Sequence, residues 1–174
     1  MKDNEQQYII WQNRAFSYYV AARLLNVKQI YGPASFCGHQ AIEAILKATL
    51  IYWDQSFSPN VARHKMAKMI NAMKNKVPSG KTVDIPEYFF ADQRYLSVSR
   101  YPTRGKGVGI PGTFINDLDD AFVKLVTLVP FQFNSKLLHT LQGDDLAYLN
   151  ILRRANKSMR LLRRHFRPFL RRTA

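Results

Sequence analysis

Apolar residues recur at intervals of three and four along most of the chain, which is the spacing of one face of an α-helix. The longest such stretch runs from Pro33 to Trp53 and has two adjoining apolar faces. Only Gln40, Glu43 and Lys47 form a narrow polar line along it. A helix of this kind is buried on more than one side. We therefore predict a central helix that the other helices pack around, with the polar line either solvated or facing a site.

The same spacing, with capping residues and prolines at the ends, predicts further helices on both sides of the central one. They run from about Asn4 to Val27, from Ser58 to Val77, from Asp84 to Tyr101, from Thr113 to Pro130 and from Asp144 to Pro168. No alternation typical of strands and no internal repeat interrupts them. The expected fold class is all-α, an up-and-down helical bundle of five core helices plus a basic C-terminal helix. We assign residues 1–135 to the bundle and residues 136–174 to the basic amphipathic helix, packed on the same domain.

Charge points to an anionic partner. The formal net charge is +14, and from Arg153 onward the chain has nine Lys and Arg residues and no acidic residue. Such a cluster along an amphipathic helix is typical of a surface that binds phosphates, so nucleic acid is the predicted partner of this segment. A plain solvated face and an anionic membrane surface are the alternatives. The candidate residues are Arg153, Arg154, Lys157, Arg160, Arg163, Arg164 and Arg167.

A single cysteine, Cys37, excludes an internal disulfide and a zinc site built from several thiolates. The first residues show no signal-peptide pattern, and charged residues interrupt the central helix too often for a membrane span. We predict a soluble, cytoplasmic protein without an integral membrane segment, and we predict no cofactor and no metal.

The central stretch resembles the HEPN domain family. Phe36-Cys37-x-x-Gln40-Ala41-Ile42-Glu43-x-x-Leu46-Lys47-Ala48 is similar to the family's helix 2 signature, and His64 lies where the family's next helix often begins. Ser99-Arg100-Tyr101-Pro102 resembles an element of one branch of these proteins. The resemblance covers about Tyr8 to Val129.

This resemblance implies a short helical bundle, a homodimer and, in many members, a minimal nucleotidyltransferase as partner. It also implies a ligand or phosphate site made of Glu43, Lys47, His64, Arg100 and Tyr101. For Glu43 and Lys47 the alternative is an exposed ion pair along one helix. For Arg100 and Tyr101 the alternative is packing at a helix end, and His64 is as often structural as functional.

RNA-cleaving members of the family carry an arginine, then four to six intervening residues, and then a histidine. The only such spacing here is Arg160 to His165, which lies outside the resembling region. Five residues along a helix correspond to about 140° of rotation, so the two side chains would not share one face without a second chain. We therefore expect a nucleotide- or RNA-binding protein that is a non-catalytic partner of a nucleotidyltransferase or part of a toxin–antitoxin pair. A metal-independent ribonuclease toxin and a dimerising scaffold are the alternatives.

Overall fold

The computed structural model describes residues 2–78, 83–90, 112–129 and 146–170. Seven α-helices and one 3₁₀ turn lie in these ranges, and no strand does, so the predicted all-α fold class is confirmed. The helices are α1 (Lys2–Val27), α2 (Tyr31–Trp53), α3 (Pro59–Ala62), α4 (Met66–Lys76), α5 (Phe114–Thr127), α6 (Leu146–Arg153) and α7 (Met159–Leu170), and the 3₁₀ turn is Glu87–Phe89.

Helix α2 is the centre of the bundle, as its two apolar faces predict. Every residue from Ala41 to Ile51 is buried, and α1, α4 and α5 all pack against this helix. Close packing on α5 requires a small residue at Gly38, because an added Cβ would lie 2.5 Å from the Phe114 ring. The central helix is therefore enclosed on several sides, and its polar residues must find their partners inside the protein.

Helices α1 and α2 form an antiparallel pair. The ring centroids of Tyr8, near the start of α1, and Tyr52, near the end of α2, lie 6.1 Å apart. Asn4 donates a hydrogen bond to the carbonyl of Gln55 at the same end. At the other end three residues connect the helices, and Gln29 takes a positive φ of 61° there. Further along the pair, Trp11 of α1 lies beside Lys47 of the polar line.

The helix predicted from Ser58 to Val77 is two helices, and this is a correction. Its apolar stripe is confirmed, since Met66, Met69, Met73 and Val77 are buried. Between α3 and α4, however, Arg63 adopts φ 48° and ψ −122°, which a helix cannot accommodate. The break turns His64 away from the course of the helix and places it beside Glu43 of α2.

The helix predicted to start at Asp84 is also corrected in its described part. Residues 83–86 are not helical, and a short 3₁₀ turn follows them. Pro86 explains the difference, because the residue before a proline, here Ile85, is disfavoured in the α conformation. The rest of this predicted helix lies outside the described residues.

The last predicted helix is divided into α6 and α7. Ala155, in the turn between them, has a positive φ of 52°. The amide of Ser158 donates to the Asn156 side chain at 3.0 Å, so this asparagine satisfies a backbone group that a continuous helix would have used. The sequence predicts that Pro168 ends or kinks the segment, and it does not end it, because α7 continues to Leu170. Pro168 has no N–H to donate to the carbonyl four residues before it, so this last turn has one hydrogen bond fewer.

The apolar seam of this last segment is confirmed where it is described, since Leu149, Leu152, Met159 and Leu162 are buried. Helix α6 packs on α1, and α7 packs on α5. Among the helices in the described ranges, none combines the length and the apolar character that crossing a membrane requires.

Candidate functional site

Glu43 and Lys47 form an ion pair inside the protein. Both residues are 4% exposed, and Lys47 Nζ lies 2.8 Å from Glu43 Oε1. The alternative of an exposed pair on a solvated face is therefore wrong. The pair is buried because α1 and the segment between α3 and α4 cover this side of α2.

His64 completes this cluster from the segment after α3. Its Nδ1 lies 3.0 Å and 2.9 Å from the two carboxylate oxygens of Glu43, while the side chain is 63% exposed. A carboxylate only accepts hydrogen bonds, so Nδ1 of His64 is the donor to Glu43. The structure thus brings together three of the five predicted ligand-site residues, Glu43, Lys47 and His64.

Trp11 of α1 covers the cluster. Lys47 Nζ lies 4.4 Å from the centroid of a Trp11 ring, and the Arg14 guanidinium carbon lies 5.1 Å from it. Both are within cation–π distance. Because Lys47 is held by Glu43 and Trp11, its charge is matched within the protein. Arg14, which is exposed, is the cation that this arrangement presents to solvent.

Arg14 borders a groove of about 470 Å³ that residues of α1 form together with one residue of α2. We call it the α1 groove; it is lined by Asn13, Arg14, Ser17, Tyr18, Ala21 and Cys37. The sequence did not predict this groove, because Tyr18 and Cys37 have the spacing of residues that pack between helices. The available signal was three polar residues at positions 13, 14 and 17, which share one side of α1.

His39 lies one turn before Glu43 and is structural. Its Nδ1 lies 3.0 Å from the carbonyl oxygen of Phe89, and the residue is 2% exposed. Burial lowers the pKa of His39, although the hydrogen bond to Phe89 and the charge of Glu43 act to raise it. Nδ1 is the donor, since a carbonyl only accepts. This contact holds the 3₁₀ turn against α2.

A second buried ion pair joins distant parts of the chain. Arg23 Nη1 donates to both carboxylate oxygens of Asp119, and Tyr19 donates its hydroxyl to Asp119 at 2.7 Å. Burial raises the pKa of Asp119, against the lowering effect of Arg23 and Tyr19. Burial alone would lower the pKa of Arg23, but Tyr19 and Asp119 raise it overall. Burial thus disfavours the charged form of each group, and its partner favours that form.

The same arginine holds the end of α6. Arg23 Nε donates to the carbonyl of Ile151 at 3.1 Å, and Nη2 donates to the carbonyl of Arg154. Asn156, in the turn that follows, donates to the Tyr19 hydroxyl at 2.9 Å. These bonds satisfy carbonyls at the end of α6 and fix the turn between α6 and α7 on the bundle.

The turn and the two helices around it carry the predicted basic residues. Within the described part of the chain none of their side chains forms an ion pair with a carboxylate. We call this set the basic surface; its members are exposed and comprise Arg153, Arg154, Lys157, Arg160, Arg163 and Arg164. Six cations on so short a segment repel one another, and a bound anion would offset this repulsion.

Several predicted residues lie outside what is described. Arg100 and Tyr101 are not among the described residues, and neither are the side chains of His165 and Arg167. The Arg160–His165 pair therefore stays a prediction. Among the described residues, no group of three or more His, Cys, Asp or Glu side chains is arranged to hold a metal ion.

Comparisons with protein-family models, with curated proteins and with solved structures give no match to this chain. The geometry of the described residues is therefore what supports a function.

Proposed function

We propose that the protein binds RNA through the basic surface. The observation that carries the proposal is the exposure of all six cationic side chains without a described carboxylate partner. Lysine and arginine residues that contact phosphates release condensed counterions, which supplies most of the affinity for a nucleic acid. The Arg23 and Asn156 bonds support this role, because they hold the turn that carries Arg154 and Lys157 on a rigid bundle.

The choice of RNA among polyanions rests on the resemblance to the HEPN family. In this proposal the chain is a HEPN-like, non-catalytic nucleotide- or RNA-binding protein of the cytoplasm. It forms a homodimer and acts as the partner of a minimal nucleotidyltransferase or as one half of a toxin–antitoxin pair. Arginine suits the binding role, since its planar guanidinium can contact a phosphate through two N–H groups and can also stack on a base.

The test is the salt dependence of binding to a labelled single-stranded RNA, measured by fluorescence anisotropy. For single strands the slope of log K against log salt is about −0.7 per phosphate contacted. Replacing Arg160, Arg163 and Arg164 by glutamine should therefore make the slope shallower by about 2. The matched control replaces Lys65, Lys68 and Lys74 by glutamine, which removes the same charge from exposed positions in and beside α4.

The control variant should keep a slope close to that of the unmodified protein. If both triple variants lose affinity and slope equally, the net charge and not the basic surface binds RNA, and the proposal is wrong. A double-stranded DNA of equal length in the same assay tests the choice of RNA.

A further inference from the structure

The buried polar side chains next to the turn between α6 and α7 form one connected set of hydrogen bonds. The Asn156 amide donates to the Tyr19 hydroxyl at 2.9 Å, and that hydroxyl donates to Asp119 at 2.7 Å. Arg23 binds the same carboxylate and two carbonyls at the end of α6. We call these four residues the anchor network. Each of them is at most 9% exposed, so a ligand in solution cannot contact them directly.

The Tyr19 hydroxyl is the junction of the anchor network. A phenol donates one hydrogen bond and can also accept, and here it donates to α5 and accepts from the turn that follows α6. The Tyr19 ring is fully buried and stacks on the Phe122 ring with 4.1 Å between the centroids. The place of the turn is therefore set by α1 and α5, through this oxygen and the Arg23 guanidinium.

The turn divides the basic surface into two groups of cations. Arg153 and Arg154 lie at the end of α6, whereas Arg160, Arg163 and Arg164 lie on α7. The two helices pack on different neighbours, since α6 packs on α1 and α7 packs on α5. The anchor network binds the backbone carbonyl of Arg154 and leaves its side chain exposed. It therefore sets the direction in which one group of cations lies relative to the other.

We infer that the anchor network positions the basic surface for its ligand, so that affinity depends on residues that the ligand does not touch. This inference rests on the proposed binding of RNA. The network contains one positive and one negative charge, so it adds no net charge to the surface. A polyanion that spans both groups of cations benefits from their fixed spacing, because the freedom of the turn is already lost before binding.

The test uses two neutral substitutions at the two ends of one hydrogen bond. Tyr19→Phe keeps the ring that stacks on Phe122 and removes the hydroxyl. Asn156→Ser keeps a side-chain oxygen that can accept from the Ser158 amide and removes the N–H that reaches Tyr19. The matched control is Tyr18→Phe, which removes a hydroxyl from the adjacent position of α1, outside the network.

Both network variants should bind the labelled single-stranded RNA about five- to tenfold more weakly than the unmodified protein, and the control should bind as well as it does. The slope of log K against log salt should change by less than about 0.7, the value of one phosphate, because no surface cation is removed. Combining Asn156→Ser with Tyr19→Phe should cost little more affinity than Tyr19→Phe alone, since both remove the same hydrogen bond.

Amide hydrogen exchange separates positioning from a general loss of folding. In both network variants the amides of residues 150–162 should exchange faster than in the unmodified protein, while those of α2 should not. The inference is wrong if this exchange does not change, or if it rises while RNA affinity stays the same. An equal loss of affinity in Tyr18→Phe would also contradict it.

These results are distinguishable from a failure of the proposed function. If the unmodified protein does not bind RNA, or if replacing Arg160, Arg163 and Arg164 by glutamine leaves the salt slope unchanged, the proposed function is wrong and the inference fails with it. If that triple variant has the expected shallower slope and the two network variants bind like the unmodified protein, only the positioning role is wrong.

Discussion

The two buried ion pairs differ in what they hold together. Glu43 and Lys47 lie on successive turns of α2, and their side chains are 5% and 4% exposed. Arg23 and Asp119 are equally inaccessible, at 3% and 2%, but they are 96 residues apart and join α1 to α5. The first pair joins two residues of one helix, and its Glu43 carboxylate also contacts His64. The second pair connects α1, α5 and the end of α6 through a single guanidinium.

This difference predicts unequal consequences of losing one partner. A buried charge left alone costs much more than the pair contributes, because its desolvation is no longer compensated. Glu43 keeps a second hydrogen-bond donor in His64. Arg23 has only one carboxylate partner within the described residues, and that partner is Asp119. The long-range pair should therefore be the more sensitive of the two.

The largest effect is expected for Asp119→Ala. It leaves the Arg23 guanidinium buried without a counter-charge and removes the acceptor of the Tyr19 hydroxyl, so the free energy of unfolding should fall by about 3–5 kcal/mol. Urea unfolding measures the change. Asp120→Ala is the matched control on the same helix, since Asp120 forms a half-exposed pair with Lys124 and its loss should cost under about 1 kcal/mol. Equal effects at the two positions would contradict the comparison.

A smaller effect is expected for Lys47→Met, which keeps the side-chain volume and removes the charge. Glu43 retains its contacts with His64, so the loss should be about 2 kcal/mol, the scale of one unsatisfied buried group. Adding His64→Ala should then cost more than His64→Ala does in the unmodified protein, because Glu43 would lose the hydrogen-bond donor that remains after Lys47 is replaced. Strict additivity in this double-mutant cycle would show that His64 does not compensate for Lys47.

The smallest effect concerns pH and His39, beside Glu43. Burial lowers the pKa of His39 below its usual value of 6.5 in the folded protein. As the pH falls through 6.5, the unfolded chain takes up a proton that the folded protein does not, so stability should decrease below that pH. His39→Asn keeps a donor for Phe89 but does not titrate, and its unfolding free energy should fall less between about pH 7.5 and 5.5. If the free energy of unfolding falls equally with pH in the two proteins, His39 does not have this role.

Local signals predicted the fold class and the contact between Glu43 and Lys47. The apolar spacing that predicted α2 also places Glu43 and Lys47 four residues apart on one face, so their contact follows from helix geometry alone. Arg23–Asp119 has no such signal. Asp119 lies near the start of α5, where the helix dipole favours a carboxylate, and nothing local shows which cation will lie beside it. Long-range pairs depend on how helices pack, which a single sequence does not specify.

The two helix breaks escaped prediction for a related reason. Arg63 and Ala155 take positive φ values, yet neither is a glycine, the residue that would have marked such a turn. Both lie in stretches whose apolar spacing continues across the break. In each case a tertiary contact stabilises the break. His64 contacts Glu43, and the carbonyls of Ile151 and Arg154 accept hydrogen bonds from Arg23.

The reach of Arg23 has a consequence for biosynthesis. Its bond to the Arg154 carbonyl spans 131 residues, so it cannot form until translation has moved well past that position. In a nascent chain whose α1, α2 and α5 have already associated, Arg23 would still lack two hydrogen-bond acceptors, the carbonyls of Ile151 and Arg154. The bonds that fix the turn between α6 and α7 on the bundle are thus expected to form later in synthesis than the contacts among α1, α2 and α5.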